Sequence, residues 1–257
     1  MTWQININSD MGEGFGRWQL GPDEELIPLV PTVNIACGFH AGDPRIMHRV
    51  TKAALAAGAD VGAHVALPDL RGFGRRPLDI APEDLLDDTL YQIGALDAFV
   101  RAEGGTLRHV KPHGSLYAMC GRREDYARAL LEAVARYDRN LIVIAGQGWP
   151  ARLAAEHGLT VWHEGYIDLD YQPDGFPRVE PRKQPGDPAD VARRAVAIVK
   201  ERAATALDGS RIEVDTPTVC LHGDMPNVLE VAATLRKRLA DEDIEVVDLA
   251  TAVAARC

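Results

Sequence analysis

Short runs of aliphatic and β-branched residues alternate along the chain with longer stretches in which apolar positions recur every three or four residues. This alternation predicts repeated strand–helix units around a parallel sheet. Strands are predicted at residues 4–8, 32–36, 60–63, 108–111, 141–145, 160–164, 218–222 and 245–248. Helices are predicted at residues 44–57, 82–103, 124–137, 149–156, 188–206 and 227–241. The order of these elements is typical of an α/β protein.

Local signals mark helix starts and long loops. Asp43 precedes Pro44 and Asp187 precedes Pro188, and both pairs are typical of a capped helix N-terminus. Two segments, residues 67–79 and 167–185, break the rhythm with many Gly, Pro, Arg or Asp residues. Long loops in a compact domain usually bind or cover a ligand. We therefore expect both segments to be functional loops.

The number of strand–helix units indicates the fold class. Seven or eight units in 257 residues favour a closed or nearly closed barrel, although periodicity alone also fits an open doubly wound sheet. No linker or fixed repeat divides residues 1–257. The fold class expected is therefore α/β, a distorted (β/α)7–8 TIM-like barrel in a single domain.

Composition excludes several classes of protein. The hydrophobic fraction of 46% and the charged fraction of 26% are typical of a globular chain. A net charge of −10 repels phosphate backbones and anionic lipid, so we expect neither nucleic acid nor a membrane as a partner. No apolar run approaches the roughly 20 residues that cross a bilayer, and the first residues lack the pattern of a secretory signal. We therefore expect a cytoplasmic protein.

The cysteines indicate a reducing environment. Cys37, Cys120, Cys220 and Cys257 are widely spaced, and no two of them form a CxxC pair. This spacing is unlike a disulfide framework or a zinc knuckle. We therefore expect reduced thiols.

Polar side chains follow five of the predicted strands directly. They are Asp10 and Glu13, His40 and Asp43, His64 and Asp69, Lys111 and His113, and His222 and Asp224. Because the carboxyl ends of barrel strands meet on one face, these residues are expected to share a site. Each alone has a plain explanation, as a cap, a packing histidine or an ion pair. Together, unpartnered, they would cost about 1–3 kcal/mol per buried group, so they are expected to serve one another or a ligand.

Two kinds of chemistry fit this set. Asp10, His40 and His64 form a ligand set that suits a divalent metal such as zinc or manganese. Without metal, the same types of residue act as general acid and base on an amide, and His113 is a candidate for that role. Lys111 either stabilises negative charge on a ligand or forms a structural ion pair.

A basic turn offers a candidate anion site, and several common nucleotide-binding and hydrolase motifs are missing from the sequence. Arg75 and Arg76 either clamp an anion or form a solvated turn. The sequence has no GxxxxGK[ST] phosphate loop, no GxGxxG turn after the first strand and no GxSxG elbow. If ATP takes part in the reaction, we do not expect this chain to bind it alone.

Several blocks of sequence resemble the LamB/YcsF family. They include INSDMGEGFG at residues 7–16, NIACGFHAGDP at 34–44, VKPHGSLY at 110–117, YQPDG at 171–175 and LHGD at 221–224. The blocks follow the family's order over nearly the whole chain. The resemblance implies a distorted barrel similar to those of polysaccharide deacetylases and some glycoside hydrolases.

The resemblance also implies an activity. It implies an ATP-hydrolysing 5-oxoprolinase, in which this chain, as the A component, works with subunits B and C to convert 5-oxoproline to L-glutamate. Ser9 stands where the family usually has cysteine, so no thiol nucleophile is expected there. The alternatives are a metal-dependent deacetylase or amidohydrolase that works without ATP, and a non-catalytic binding subunit.

The candidate site follows from these features. The catalytic candidates are Asp10, Glu13, Lys111 and His113. The candidates for binding substrate or another anion are Arg75, Arg76, Arg182, His222 and Asp224. The metal candidates are Asp10, His40 and His64.

Overall fold

A curled sheet of parallel strands forms the centre of the computed structural model, which describes residues 3–178 and 183–256. The strands are β1 (Trp3–Met11), β2 (Thr32–Ala36), β3 (Asp60–Val65), β4 (Leu107–Pro112), β5 (Ile142–Ile144), β6 (Thr160–Trp162), β7 (Gly165–Tyr166), β8 (Ala203–Thr205), β9 (Arg211–Glu213), β10 (Thr218–Cys220) and β11 (Ile244–Val246). The main sheet has the order β6-β5-β4-β3-β2-β1-β10-β7, and β11 pairs with the lower end of β1. In the described ranges no pairing joins β6 to β7, so the barrel stays open between these strands.

Helices cover the outside of the sheet. They are α1 (Asp23–Leu26), α2 (Pro44–Ala56), α3 (Pro82–Ala102), α4 (Gly114–Arg122), α5 (Glu124–Tyr137), α6 (Trp149–His157), α7 (Pro188–Glu201), α8 (Val228–Asp241) and α9 (Leu249–Ala254). Helix α3 packs on α5, α5 packs on α6, and α7 packs on α8. The expected α/β class and the barrel-like curl are therefore confirmed.

Strand β1 shows how the sequence divides between the two sides of the sheet. Successive side chains of a strand point to opposite faces. Ile5, Ile7 and Met11 are buried in the apolar core that the strands form with the helices. The intervening residues Asn6 and Asn8 are equally buried. They face the inside of the curl, where they meet side chains of other strands.

Hydrogen bonds between strands satisfy this polar interior. Asn6 Nδ2 donates to Thr32 Oγ1 at 2.8 Å, and Thr218 Oγ1 donates to Asn6 Oδ1 at 2.7 Å. One layer higher, Asn34 Nδ2 donates to Asn8 Oδ1 at 2.8 Å. Because buried amides are costly only when they lack partners, these layers connect the strands without a large penalty.

One predicted helix is wrong at its C-terminal end. The helix predicted at residues 188–206 ends at Glu201, and Arg202 then adopts a left-handed conformation with φ of 51°. The next residues form β8, which pairs antiparallel with β9. Their alanine-rich sequence favours helix, but the pairing and the burial of Ala203 override that preference. The sequence reasoning also missed β7 and the short helices α1, α4 and α9.

The predicted helix caps and buried thiols are present in the structure. Asp43 and Asp187 cap α2 and α7 through their side chains. Cys37, Cys120 and Cys220 are free, buried thiols, and Cys257 lies outside the described residues. Across the described residues, no helix is both long and apolar enough to cross a membrane.

Asp43 has a second role that Asp187 lacks, and this difference gives a prediction. Asp43 Oδ1 accepts from the backbone N–H groups of Arg45 and Ile46, while Oδ2 accepts from Gly16 N at 2.7 Å. We expect Asp43→Ala to lower stability by about 1–2 kcal/mol. Asp187→Ala removes only a helix cap, so its effect should be smaller. Thermal melting of both variants tests this, with a shift of about 2–4 °C per kcal/mol; equal shifts would contradict the loop contribution.

Candidate active site

Most of the sequence-predicted residues meet at the carboxyl ends of the strands, in or beside a cleft of about 520 Å³ that opens to solvent. Its polar lining includes Asp10, His64, Lys111, Glu164, Lys183 and His222. Tyr117, Tyr166 and Leu169 form an apolar part of the wall. The convergence predicted from five strand ends is therefore present, and it joins ionisable groups to a small apolar surface.

Lys111 lies at the floor of the cleft and is buried. Its Nζ is 2.9 Å from Asp10 Oδ1 and 3.0 Å from Glu164 Oε2. It also donates to Asn8 Oδ1 at 3.1 Å, and Cys220 Sγ lies 3.2 Å away. Burial lowers the pKa of Lys111, but Asp10, Cys220 and Glu164 together raise that pKa well above its usual value. Lys111 is therefore an ammonium ion whose position is fixed by its carboxylate partners.

Asp10 is the counterpart of Lys111. Burial raises the pKa of Asp10, but His64 and Lys111 outweigh burial and hold that pKa well below its usual value. Asn34 Nδ2 also donates to Asp10 Oδ1 at 2.8 Å. The second oxygen, Oδ2, lies 3.3 Å from His64 Nε2. Asp10 is therefore an ionised carboxylate between the lysine and a group of histidines.

Three histidines and one carboxylate form a buried cluster beside Asp10. Glu13 Oε1 lies 3.0 Å from His40 Nε2, 3.4 Å from His113 Nδ1 and 4.0 Å from His64 Nε2. The rings of His40 and His113 stack with centroids 3.8 Å apart. We call these four residues the Glu13 cluster.

Backbone carbonyls fix the tautomers of two of the histidines. His64 Nδ1 lies 3.0 Å from the Lys111 carbonyl oxygen, and His113 Nε2 lies 2.8 Å from that of Phe73. A carbonyl oxygen only accepts, so both of these nitrogens carry hydrogen and donate. In the neutral rings, His64 Nε2 and His113 Nδ1 then have lone pairs, and they lie 3.1 Å apart. Two facing lone pairs require a proton or a metal cation between them.

The electrostatics of the Glu13 cluster favour the uncharged forms of its members. Burial, Asp10 and Asp224 raise the pKa of Glu13 well above its usual value, against the effect of Arg75. Burial and the neighbouring histidines lower the pKa of His40 and of His113. These shifts favour a protonated Glu13 carboxyl group and neutral rings for His40 and His113. A divalent ion would instead favour the Glu13 carboxylate and use the lone pairs of the neutral rings.

The geometry fits such an ion. Four tetrahedral ligands about 2.1 Å from a metal lie about 3.4 Å from one another. Glu13 Oε1 lies 3.0 to 4.0 Å from the three histidine nitrogens, and all four ligand atoms lie within 4.8 Å of one another. His40 Nδ1 is buried and has no hydrogen-bond partner in the described part of the chain. The carbonyl contacts of His64 and His113 are of the kind that orients metal-bound histidines.

The four residues that could hold a metal include two of the three predicted ligands. His40 and His64 are in the Glu13 cluster, as the prediction of a metal site requires, but the carboxylate there is Glu13. Asp10 faces the Lys111 ammonium instead. A second grouping, of Asp10, Cys220 and His222, suits a metal poorly. Burial raises the pKa of the Cys220 thiol well above its usual value, and Lys111 already supplies a cation there.

The far side of the cleft holds an aspartate–histidine pair. Asp168 Oδ1 lies 2.9 Å from His222 Nδ1. Asp168 Oδ2 accepts from the His222 backbone N–H at 3.0 Å and from Lys183 Nζ at 3.2 Å. Burial raises the pKa of Asp168, but His222 and Lys183 outweigh it and hold that pKa far below its usual value. Asp168 is therefore ionised.

Two of the arginines predicted to bind an anion, Arg75 and Arg76, lie in different places in the structure. Arg75 lines the cleft and donates to Asp224 Oδ2 at 2.8 Å. Arg76 lies outside the cleft lining, where its guanidinium pairs with Asp69. Arg182 lies outside the described residues, so its predicted role in anion binding stays a prediction.

A glycine brings a loop backbone onto the Glu13 cluster. Gly74 has φ of +62°, and a Cβ there would lie 2.7 Å from His113 Cδ2 and 2.8 Å from His40 Cβ. The preceding residue, Phe73, also has a positive φ, of 56°. This local conformation places the Phe73 carbonyl against His113. The loop at residues 67–79 therefore shapes the site, in agreement with the expectation that it is functional.

Sequence reasoning missed three of the charged residues in and behind the cleft, Glu164, Asp168 and Lys183. Glu164 was the last residue of a predicted strand, so the strand-end argument could have found it. Asp168 and Lys183 lie in the loop predicted at residues 167–185. That loop is expected to be functional, but its pattern does not indicate which of its charged residues face inward.

The Lys111 contacts predict a pH-dependent loss of stability in Lys111→Met. The ammonium has a raised pKa and Asp10 a lowered one, so the pair stabilises the fold between the acidic and alkaline limits where either loses its charge. Breaking a buried pair typically costs about 3–5 kcal/mol. We expect this loss at pH 8 and a smaller loss at pH 5. At pH 5 the carboxylates of Asp10 and Glu164, left without Lys111, are protonated at a lower free-energy cost.

Urea unfolding at both pH values measures the difference. Lys237→Met is the matched control, because its pair with Asp241 is exposed and should contribute at most about 1 kcal/mol. A loss in Lys111→Met that is the same at pH 5 and pH 8 would count against the ion-pair explanation.

Comparison with known proteins places this geometry in a family context. The model of the LamB/YcsF family matches residues 5–254. A protein of Thermococcus sibiricus, named as the A subunit of 5-oxoprolinase, is 44% identical over 251 residues, which cover 96% of this chain and 98% of that protein. A Methylococcus capsulatus protein of the same name is 43% identical over 252 residues, or 97% of each chain.

Solved structures show the same architecture. The lactam utilization protein from Thermus thermophilus has a TM-score of 0.86 and 41% identity, over 95% of this chain and 98% of that one. A peptidoglycan N-acetylglucosamine deacetylase has a TM-score of 0.51 with 9% identity, over 96% of this chain and 86% of that one. The second likeness concerns the fold alone.

Proposed function

The chain belongs to the LamB/YcsF family, and from this premise we propose that it acts as the A component of an ATP-dependent 5-oxoprolinase. It would help to convert 5-oxoproline to L-glutamate while ATP becomes ADP and phosphate. The observation that carries the proposal is the near full-length similarity, at 44% identity, to relatives named as the A subunit of 5-oxoprolinase. The related Thermus thermophilus structure is that of a lactam utilization protein, which supports the same class of substrate.

The cleft suits a small cyclic amide that carries a carboxylate. Tyr117, Tyr166 and Leu169 offer an apolar wall for the ring carbons. Arg75 and Lys183 place positive charge in the same cleft, where it favours an anionic substrate within an acidic protein. These features support 5-oxoproline, which has a small ring and one carboxylate.

The energetics of the reaction explain the need for ATP and partners. An unstrained lactam is a poor electrophile, and phosphorylation of its carbonyl oxygen would turn that oxygen into a leaving group. The sequence has no phosphate loop, so we propose that partner subunits B and C supply the nucleotide site. We also propose that the complex works in the cytoplasm, which the free, buried thiols of Cys37, Cys120 and Cys220 support.

The residues of the site have distinct proposed tasks. Glu13, His40, His64 and His113 would hold a divalent metal ion, whose chemistry there is to polarise an oxygen atom as a Lewis acid. Asp10 is ionised and stands between the Glu13 cluster and the cleft, so it is placed to orient a water molecule and accept its proton. Lys111 keeps Asp10 ionised and balances Glu164.

Dependence on partners gives one prediction. We expect the purified chain alone to show little 5-oxoproline-dependent ATP hydrolysis, because it lacks a recognisable nucleotide site. Addition of subunits B and C should give ADP and glutamate in equal amounts. Full turnover by the isolated chain with ATP would contradict the proposed division of labour.

The same assay separates the alternatives. Amide hydrolysis by the metal-loaded chain without ATP would favour a metal-dependent amidohydrolase, the second candidate, which the Glu13 cluster supports. Normal turnover of the complex with Asp10→Asn would favour a non-catalytic subunit.

Metal content gives another prediction. Elemental analysis of the purified chain should find about one divalent ion, and His64→Gln and His113→Gln should each lower the metal content, because each removes one of four ligands. His157→Gln is the control, since His157 is also buried but lies against Glu132 on the outside of the sheet. If the wild-type chain takes up no metal during dialysis against zinc or manganese, the metal prediction is wrong. The ring nitrogens of His64 and His113 would then share a proton.

A further inference from the structure

Asp168 holds one ring nitrogen of His222 and leaves the other facing the cleft. The Asp168 side chain is fully buried, whereas 17% of the His222 side chain is exposed. Because Asp168 is ionised and also receives Lys183, it can only accept from His222, so His222 Nδ1 carries hydrogen. The backbone N–H of His222 donates to the same carboxylate at 3.0 Å, which fixes the position of the whole residue.

The remaining nitrogen, His222 Nε2, is available to a ligand. In the described part of the chain its polar neighbours are Asp10 Oδ2 at 3.8 Å and Cys220 Sγ at 3.9 Å. Both distances exceed those of strong hydrogen bonds to these atoms. His222 Nε2 therefore faces Asp10 across the part of the cleft where a substrate would react.

Ring opening needs a proton at this place. The nitrogen of an amide leaves poorly as an anion, and a positioned proton donor typically contributes about 10²- to 10⁴-fold in rate. The other histidines near the cleft are poor candidates, because the unprotonated nitrogens of His64 and His113 point into the Glu13 cluster. Lys111 is held by Asp10 and Glu164.

We propose that His222, entering the step with hydrogen on both ring nitrogens, gives its Nε2 proton to the lactam nitrogen and that Asp168 is the positioning residue that holds His222 for this step. This inference rests on the proposed ring-opening function. The oxygen of water bonds to the carbonyl carbon, and one water proton passes to Asp10. The bond between carbon and nitrogen then breaks, its electron pair stays on nitrogen, and nitrogen takes the proton from His222 Nε2.

The step needs no oxidant or reductant. Asp10 ends protonated and His222 ends neutral, and one proton passed from Asp10 to His222 restores both. With a phosphoryl group from ATP on the carbonyl oxygen, the same proton transfers break the bond to nitrogen and leave an acyl phosphate, which a second water molecule hydrolyses to the carboxylate and phosphate. Asp168 stays ionised throughout and stabilises the charged imidazole.

The variant Asp168→Asn tests the positioning role. Nitrogen-15 NMR of the isolated chain, recorded at a pH where the His222 ring is neutral, should show its hydrogen on Nδ1 in the wild type and a shift toward Nε2 in the variant. In the complex with subunits B and C, kcat should fall about 10²- to 10⁴-fold while KM changes by less than about threefold. An unchanged tautomer, a normal kcat, or a loss confined to KM would overturn the positioning role.

Asp170→Asn is the matched control for this variant. Asp170 lies two residues further along the same loop and pairs with Arg194, away from His222. It should leave both the tautomer and kcat unchanged, and parallel losses in the two variants would show a general loop defect and overturn the specific role of Asp168.

The variant His222→Ala tests the proton donor without disturbing the Asp168–Lys183 pair. We expect a loss of similar size, and added imidazole should restore at least about tenfold of the rate. Failure of imidazole to restore a folded variant would overturn the donor assignment. If the wild-type complex does not consume 5-oxoproline, the proposed function fails instead, and the tautomer measurement still decides whether Asp168 positions His222.

Discussion

The ion pair between Lys111 Nζ and Asp10 Oδ1, 2.9 Å long, links β4 to β1 across the inside of the curled sheet. Both side chains are buried, so each would be costly without the other. The pair also depends on the layer beneath it, since Asn8 and Asn34 each contact one of the two charges. The charged residues of the site therefore depend on the polar residues inside the curled sheet. A change in any layer of these residues would affect the Lys111–Asp10 pair at the mouth of the sheet.

The ion pair divides the mouth into two halves with different chemistry. On one side, Glu13 and its histidines bring four potential metal ligands together in a buried cluster. On the other side, Asp168 is satisfied by Lys183 and holds His222 toward the cleft. Asp10 lies between the halves. A substrate in the cleft would meet an electrophilic environment on one side and a proton donor on the other, which is what opening an amide requires.

The sequence predicted the fold class and the meeting of residues such as Asp10, His64 and Lys111, because strand ends in a barrel converge whatever the loops do. The sequence could not show which of these charged residues form pairs with one another. Glu13 and Asp10 look equivalent as ligands until the structure shows that Lys111 pairs with Asp10. The sequence also did not predict the hairpin after Arg202. The alanine-rich residues there favour a helix, but in the structure they pair with another strand.

Glu13 and Asp10 are three residues apart, yet their pKa values move in opposite directions. The cause is the placement of positive charge: His64 and Lys111 stabilise the Asp10 carboxylate, whereas Arg75 does not outweigh burial and the neighbouring aspartates at Glu13. A metal ion in the Glu13 cluster would displace the proton from Glu13, so metal binding and proton release are one event. Asp10, already ionised, would keep its charge. The site thus separates a carboxylate that is suited to hold a cation from one that Lys111 keeps ionised.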